Sequence, residues 1–185
     1  MTHSFSDLCL VLKRVNFGEA DRILTIFTRE HGKLAVVAKG IRKLTSRKAP
    51  HLELFSSARI HLVSGHNLPI VTEAQTLTDF AHLKTALQRT KHAFHLLEIL
   101  DQMLAEGQPH PEVFDRLIKD LQLLSLPDLS LKQAVEIIRQ FELYLLEHLG
   151  FGQPSVEGPP ASFVTVNAYI ESVLDRKLNS LTKLN

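Results

Sequence analysis

Hydrophobic and polar positions change their spacing part-way along the chain. Up to residue 80, short apolar runs rich in Val, Ile, Leu and Phe are separated by turn residues roughly every 8 to 12 positions. Within one of these runs, Ala58, Ile60 and Leu62 alternate with more polar neighbours, as expected for a strand with one face in water. We predict five β-strands in this part of the chain, at residues 8–15, 23–28, 34–38, 58–63 and 69–78.

Five short strands joined by tight turns favour a small barrel, because a closed sheet leaves no exposed edge. A five-stranded OB barrel is the first interpretation and an SH3-like barrel is the second. The number of strands does not separate them. This half of the chain contains Phe5, Phe17, Phe27, Phe55 and Phe80. Phe27 is assigned to the core, while Phe17, beside Gly18, is equally compatible with the core and with an exposed position.

After residue 80, the apolar positions recur at three- or four-residue spacing, which predicts helices. We expect four of them, at about residues 83–104, 111–127, 131–149 and 166–180. Ser130 and Gln133 have the spacing of a capping box, and Gly150 is a suitable residue to end the third helix. The apolar face of the first helix is predicted to comprise Leu83, Leu87, Thr90, Phe94, Leu97, Leu100 and Leu104.

The predicted fold class is therefore α+β, with a change of architecture near residue 80. Residues 1–80 are expected to form an OB-fold nucleic-acid-binding domain. Residues 81–185 are expected to form a helical domain with a Pro- and Gly-rich loop at residues 151–162.

The single Cys among 185 residues excludes an internal disulfide and a cysteine-rich zinc site. No run approaches the ~18 consecutive apolar residues of a membrane span, and the first residues are polar, without the core of a signal peptide. We therefore expect a cytoplasmic protein that makes no contact with a membrane.

The formal net charge of +1 conceals an uneven distribution. Residues 1–80 carry 11 Lys and Arg against 7 Asp and Glu, a net +4, whereas the remaining residues carry a net −3. Residues 39–48 contain five basic side chains and no acidic one. Such a loop suits phosphate binding, because each phosphate that it neutralises releases condensed counterions. The candidate phosphate-binding residues are Lys39, Arg42, Lys43, Arg47 and Lys48.

Catalytic patterns are weak in this sequence. His92 and His95 are three residues apart on a predicted helix, with Glu98 and Asp101 each about a turn further on, and this spacing is compatible with zinc. We interpret them instead as a polar helix flank, because no HExxH pattern or third ligand accompanies them. Cys9 lies in an apolar strand, and we interpret it as a small buried apolar residue. No phosphate-binding or nucleophile motif occurs. We therefore predict a protein that is not an enzyme and has no catalytic residue.

Several motifs together resemble one known family. Residues 12–24 (LKRVNFGEADRIL), 27–34 (FTREHGKL) and 37–43 (VAKGIRK) closely resemble the N-terminal domain of the RecO family of bacterial recombination mediators. Residues 139–152 resemble the family's RxFELxLLxxLGY helix, and residues 176–180 resemble its terminal RxLKS. The resemblance spans most of the chain and is strongest at residues 8–48.

The resemblance implies a non-catalytic protein of recombinational DNA repair, associated with the bacterial nucleoid. Members bind single- and double-stranded DNA and anneal complementary strands coated by single-strand-binding protein. They act with the mediator RecR to load the recombinase RecA. The family's basic DNA-contacting stretch falls on the five basic residues of positions 39–48, whereas its pocket for the tail of single-strand-binding protein is not assigned to residues here.

The chain departs from the family's pattern after the LGY helix and in the looser spacing of its basic residues after Gly40. Many relatives carry a four-Cys zinc module after the LGY helix, but the corresponding residues 153–162 contain no Cys. We therefore expect no zinc and no other cofactor. Two alternatives to the mediator stay open at this point: a protein-interaction adaptor whose basic loop only aids solubility, and a small metal-dependent hydrolase that uses His92 and His95.

Overall fold

The computed structural model describes residues 4–80, 82–83, 87–152, 154 and 163–182. Contacts divide the chain into two compact units, the first comprising residues 1–80 and 104–114, and the second residues 81–103 and 115–185. The five predicted strands are confirmed, and four of them begin one or more residues earlier than predicted. They are β1 (Ser4–Phe17), β2 (Asp21–Thr28), β3 (Gly32–Ala38), β4 (Ser56–Val63) and β5 (Ile70–Asp79).

The strands close into a ring in the order β1-β2-β3-β5-β4. All neighbouring pairs are antiparallel except β3 and β5, which run parallel and are paired at Val37 and Ile70. The long strand β1 pairs with two neighbours. Its first half pairs with β4 and its second half pairs with β2. This topology is the predicted OB arrangement.

The interior of the ring is filled by apolar side chains from every strand. The alternation predicted for β4 is confirmed, because Ala58, Ile60 and Leu62 are buried while Arg59 is exposed. Phe27 and Cys9 are buried, as predicted. Removing each large aliphatic side chain from water contributes roughly 1.5–3 kcal/mol, so this cluster supplies much of the barrel's stability. The core also includes Val11, Leu24, Ile26, Val36, Ile41, Leu52 and Val71.

Residues 104–114 pack with the barrel, which a division of the chain after residue 80 does not anticipate. The amide of Gly107 donates to the carbonyl of Lys33 at 2.9 Å, and the rings of Phe27 and Phe114 meet edge to face with centroids 5.5 Å apart. Gly32 has φ +72, and a Cβ at this position would lie 2.1 Å from the carbonyl oxygen of Gln108. The glycine of the EHGK motif therefore permits this close approach.

The remaining elements are helical. They are α1 (Leu87–Met103), α2 (Pro111–Leu124), α3 (Leu131–His148), α4 (Phe163–Leu174) and α5 (Asn179–Thr182). A short 3-10 helix (Ala49–His51) lies in the loop between β3 and β4. The capping box at the start of α3 is confirmed: the Ser130 side chain accepts from the Gln133 amide, and the Gln133 side chain accepts from the Ser130 amide. Gly150 follows the end of α3 with φ +82, as its predicted role requires.

The single helix predicted for residues 166–180 is wrong. The chain leaves the helical conformation after Leu174, where Asp175 adopts φ +50, and it becomes helical again only at Asn179. The carboxylate of Glu171 accepts from the amide of Leu178 at 2.9 Å, and Leu178 is buried. These contacts stabilise the break. Of the loop predicted at residues 151–162, residues 153 and 155–162 lie outside the described residues.

The buried face of α1 is also broader than its apolar spacing predicts. Phe94, assigned to that face, is 43% exposed, whereas His92 and His95, interpreted as a polar flank, are both buried. The helix packs against α3 and α5, and α3 packs against α4. Because α1 has partners on more than one side, the polar side chains of His92 and His95 are also removed from water. Within the described residues, no helix has the length and apolar character needed to cross a membrane.

Candidate nucleic-acid interface

The loop that carries the basic residues is hydrogen-bonded to the turn between β1 and β2. The backbone amide of Arg42 donates to the carbonyl of Ala20 at 2.9 Å, and its guanidinium donates to the carbonyl of Gly18 at 3.2 Å. The amide of Gly40 donates to the carboxylate of Asp21 at 2.7 Å. The two loops therefore form one continuous surface at this end of the barrel, which we call the cationic end.

The five predicted DNA-binding residues all lie on this loop, but they differ in exposure. Lys39, Arg42, Lys43 and Arg47 are exposed. Lys48 is partly buried, and its ammonium donates to the carbonyl of Val71 at 2.8 Å. Burial lowers the pKa of Lys48 below its ordinary value, and the nearby Asp21 opposes that shift. Four of the five charges are thus available to a ligand in solution, while Lys48 also fastens the loop to β5.

A shallow depression of about 580 Å³ opens within the cationic end. Its lining combines basic, acidic and apolar side chains. The carboxylate of Glu53 accepts from the guanidinium groups of both Arg14 and Arg22, and the distance to Arg22 Nη1 is 3.4 Å. Two further cations thus lie beside the predicted five, partly neutralised by one acid. The depression is lined by Arg22, Ile41, Arg42, Lys43, Leu44, Ser46, Ala49, Pro50 and Glu53.

Exposed apolar side chains accompany these charges. Leu44 projects fully into solvent from the basic loop, and Val15 and Phe17 are 51% and 54% exposed on β1. The sequence left Phe17 open between the core and the surface, and the structure places it on the surface. Arg14 and Arg22 were not predicted as site residues, because neither belongs to the run of basic residues at positions 39–48.

The cysteine and the two histidines considered for catalysis or metal binding are buried, namely Cys9, His92 and His95. Burial raises the pKa of Cys9 to about 12, and the charge on Asp7 adds to the shift, so the thiolate is disfavoured. His95 Nε2 lies 2.9 Å from Glu142 Oε1 and 2.7 Å from Asn167 Oδ1. His95 thus belongs to a buried hydrogen-bond network.

A metal centre has no support in the residues that the structure describes. They contain no group of three or more His, Cys, Asp or Glu side chains arranged to hold a metal ion. The one Cys of the chain lies in the barrel core, so a four-cysteine zinc site cannot form from the residues of this chain.

Comparison with known families decides the relationship that the motifs suggest. The family model "Recombination protein O N terminal" matches residues 1–80, which include the five strands and the cationic end. The model "Recombination protein O C terminal" matches residues 84–156. The chain belongs to the RecO family. Both models describe recombination proteins, in agreement with the family that the motifs resemble.

Individual RecO relatives agree with this assignment. A protein named DNA repair protein RecO from Desulfitobacterium hafniense is 37% identical over 148 residues, which cover 80% of this chain and 52% of the relative. RecO from Roseiflexus is 37% identical over 77% of this chain and 48% of its own length. RecO from Dehalococcoides mccartyi is 32% identical over 80% and 57%. The chain thus spans about half the length of these curated relatives.

Proposed function

We propose that this chain is a DNA-binding recombination mediator that acts without a catalytic centre. It binds single- and double-stranded DNA at the cationic end, anneals complementary strands, and helps to load recombinase onto strands coated by single-strand-binding protein. Its protein partners are a RecR-like mediator and single-strand-binding protein, and it acts in the cytoplasm at the nucleoid. The mechanism uses no metal and no cofactor.

The observation that carries this proposal is the fastening of the basic loop to the β1–β2 turn. Three hydrogen bonds, through Gly40 and Arg42, hold the loop against the barrel. The charges are therefore presented on an ordered surface, and less conformational entropy is lost when a strand binds. Lys39, Lys43 and Arg47 remain exposed beside this attachment.

Annealing follows from charge neutralisation. Two complementary strands repel each other through their phosphates, and a cationic surface that binds one strand lowers that repulsion for the second. Contacts to phosphates carry no sequence information, so the proposed binding tolerates any sequence and weakens as salt rises.

Replacing Lys39, Arg42 and Lys43 together with Ala tests the proposed site. We expect at least about a tenfold loss of affinity for a single strand, and a salt dependence flatter by about two, because each lost phosphate contact lowers the slope by about 0.7. Fluorescence anisotropy with a labelled oligonucleotide, titrated at several salt concentrations, measures both. A variant with Arg59, Lys119 and Lys132 replaced by Ala, an equal loss of exposed charge elsewhere, is the control. Equal affinities for wild type and the loop variant at low salt would refute the site.

The mediator step needs its own assay. Complementary strands are first coated with single-strand-binding protein, and their annealing is followed by fluorescence transfer with and without this chain. We expect acceleration by wild type and little by the loop variant. If wild type binds bare strands but does not accelerate annealing of coated ones, the proposal fails at that step.

An apolar depression in the second unit favours the adaptor as the second candidate function. It has a volume of about 410 Å³ and is lined by Leu129, Lys132, Gln133, Glu136 and Ile137. A surface of this kind suits a protein partner. The DNA titration separates the two candidates, because an adaptor alone would leave the labelled strand unbound even at low salt. His92 and His95 are buried, so their positions do not support the metal-dependent hydrolase alternative.

A further inference from the structure

The outer face of β1, β2 and β3 carries an apolar surface that the charge-based proposal does not use. Val15 is paired with Ile23, and Ile23 is paired with Val37, so the three side chains lie in one row across three strands. Phe17 is two residues beyond Val15 on β1 and points to the same face, because strand side chains alternate. We call these four residues the outer apolar row.

A β-bulge explains why Phe17 and Val15 face outward. Val11 is buried in the core and paired with Ile26, and simple alternation would place residues 13, 15 and 17 inside as well. The pairing shifts between Val11 and Lys13, however, and it is Arg14 that lies opposite the buried Leu24. One extra residue on β1 therefore exchanges the two faces of the strand beyond the bulge.

The outer apolar row adjoins the cationic end. Phe17 is paired with Asp21, whose carboxylate accepts from the amide of Gly40 at 2.7 Å. The residue after Phe17, Gly18, accepts from the guanidinium of Arg42 at 3.2 Å. An exposed aromatic ring thus lies next to the loop that the proposed function assigns to phosphates. This is the combination that single strands require: cations for the backbone and an aromatic face for a base.

We infer that Phe17, supported by Val15, Ile23 and Val37, stacks against an unpaired base and makes the protein prefer single strands to duplex. In a duplex the faces of each base are covered by its neighbours, so the ring has no base to contact. The occupant is a nucleic-acid base because the polyanionic backbone joined to it complements the adjacent Lys39 and Arg42. This inference rests on the proposed function, and the experiments below separate the failure of one from the failure of the other.

The first experiment replaces Phe17 with Ala and measures binding to an oligothymidylate, to the same backbone with abasic sites, and to a duplex. We expect roughly a tenfold loss for the oligothymidylate, within the range for one stacked base. Affinities for the abasic strand and the duplex should stay within about twofold, and the salt slope should not change, because no charge is removed. Phe151→Ala is the control, since Phe151 is 44% exposed in the second unit.

The second experiment uses the absence of Trp from the sequence. In Phe17→Trp the new indole is the only one in the chain, and stacking with a base should quench its fluorescence. The oligothymidylate should quench it, the abasic strand should not, and Phe151→Trp should respond to neither. This variant keeps an aromatic ring on the strand, so it also covers the case in which the Ala variant does not fold.

The results distinguish the two proposals. Binding that depends on Lys39, Arg42 and Lys43 but not on Phe17, or Trp emission that is insensitive to the oligothymidylate, would refute stacking and leave the DNA site standing. Equal losses of affinity for all three nucleic acids, or a change of oligomeric state in sedimentation for Phe17→Ala, would also refute stacking and indicate a structural or self-association role. Wild type that binds none of them at low salt would refute the proposed function itself.

Discussion

At the scale of single residues, Arg42 joins the two loops of the cationic end. Its amide and its guanidinium both bind carbonyls of the β1–β2 turn, at Ala20 and Gly18. One side chain therefore takes part both in ordering the surface and in its charge. Glu53 acts in the opposite direction, because its carboxylate is bound by two arginines at the margin of that surface.

Glu53→Gln should strengthen DNA binding. Removing the carboxylate charge leaves Arg14 and Arg22 without their acidic partner, and both become available to phosphates. We expect an affinity gain of roughly threefold to tenfold for a single strand and a salt slope steeper by about 0.7 to 1.4, measured by anisotropy. Glu73→Gln removes the same charge from an exposed position on β5. An equal gain in both variants would show that only the net charge matters.

At the scale of elements, the sequence predicts the strands well because each is a short apolar run bounded by turn residues. The positions that it assigns wrongly depend on partners remote in the chain. Phe94 and His95 exchange their expected environments because α1 packs against both α3 and α5. The break at Asp175 is stabilised by Glu171 and by the burial of Leu178, neither of which local spacing reveals.

The cationic end was only partly predictable, because some of its residues are also placed by partners remote in the chain. The five basic residues of the loop lie within ten positions, at residues 39–48, so the sequence shows them as a cluster. The outward position of Phe17 depends on a bulge near Val11, and a bulge leaves no mark on apolar spacing. Arg14 and Arg22 join the surface through Glu53, which lies 39 and 31 residues further along the chain, respectively.

Gly32→Ala should destabilise the first unit through the contact of the β2–β3 turn with residues 104–114. The left-handed backbone and the close approach to Gln108 together cost about 2–5 kcal/mol, which corresponds to a fall in the unfolding temperature of roughly 4–20 °C for a chain of this size. Gly107→Ala is the matched control, because Gly107 has φ +70 but nothing within 4 Å of an added Cβ. Its cost should be only the backbone contribution of about 1–2 kcal/mol. Equal unfolding temperatures for the two variants would contradict the close approach.

At the scale of the whole molecule, charge is divided between the two parts of the chain on either side of residue 80. The basic excess of the chain lies in residues 1–80 and the acidic excess in the remainder. The helical unit also contains a buried polar network in which His95 contacts Glu142, Asn167 and Ser180. Residues from α1, α3, α4 and α5 take part, so this network contributes to how those helices pack.

This network should make stability depend on pH. Burial raises the pKa of Glu142 above its ordinary 4.5, and the hydrogen bond with His95 opposes the shift. A carboxyl with a raised pKa holds its proton more tightly in the folded state. Its contribution is therefore complete below pH 4.5 and is lost as the pH rises through the raised value.

Glu142→Gln should remove that dependence while keeping an oxygen that can accept from His95. Relative to wild type, the variant should gain stability as the pH rises from about 4.5 towards neutrality. Urea unfolding at several pH values, followed by circular dichroism, measures the difference. Gln at the exposed Glu112 is the control for a general loss of negative charge. A constant difference between Glu142→Gln and wild type across this range would contradict the raised pKa.

The way the ring closes has a consequence for how the barrel folds and opens. Three of its pairings join neighbours in the chain, but β1 meets β4 through partners as remote as Ser4 and Val63, about 60 residues apart, so this pairing forms late. The ring also closes between β3 and β5, where Val37 and Ile70 are the one pair of facing residues. The amide of Val37 donates to the carbonyl of Pro69 there. Amide protons beside this narrow seam should exchange with solvent before those of the hairpins. The seam lies two residues before Lys39, so local opening of the barrel would begin beside the basic loop.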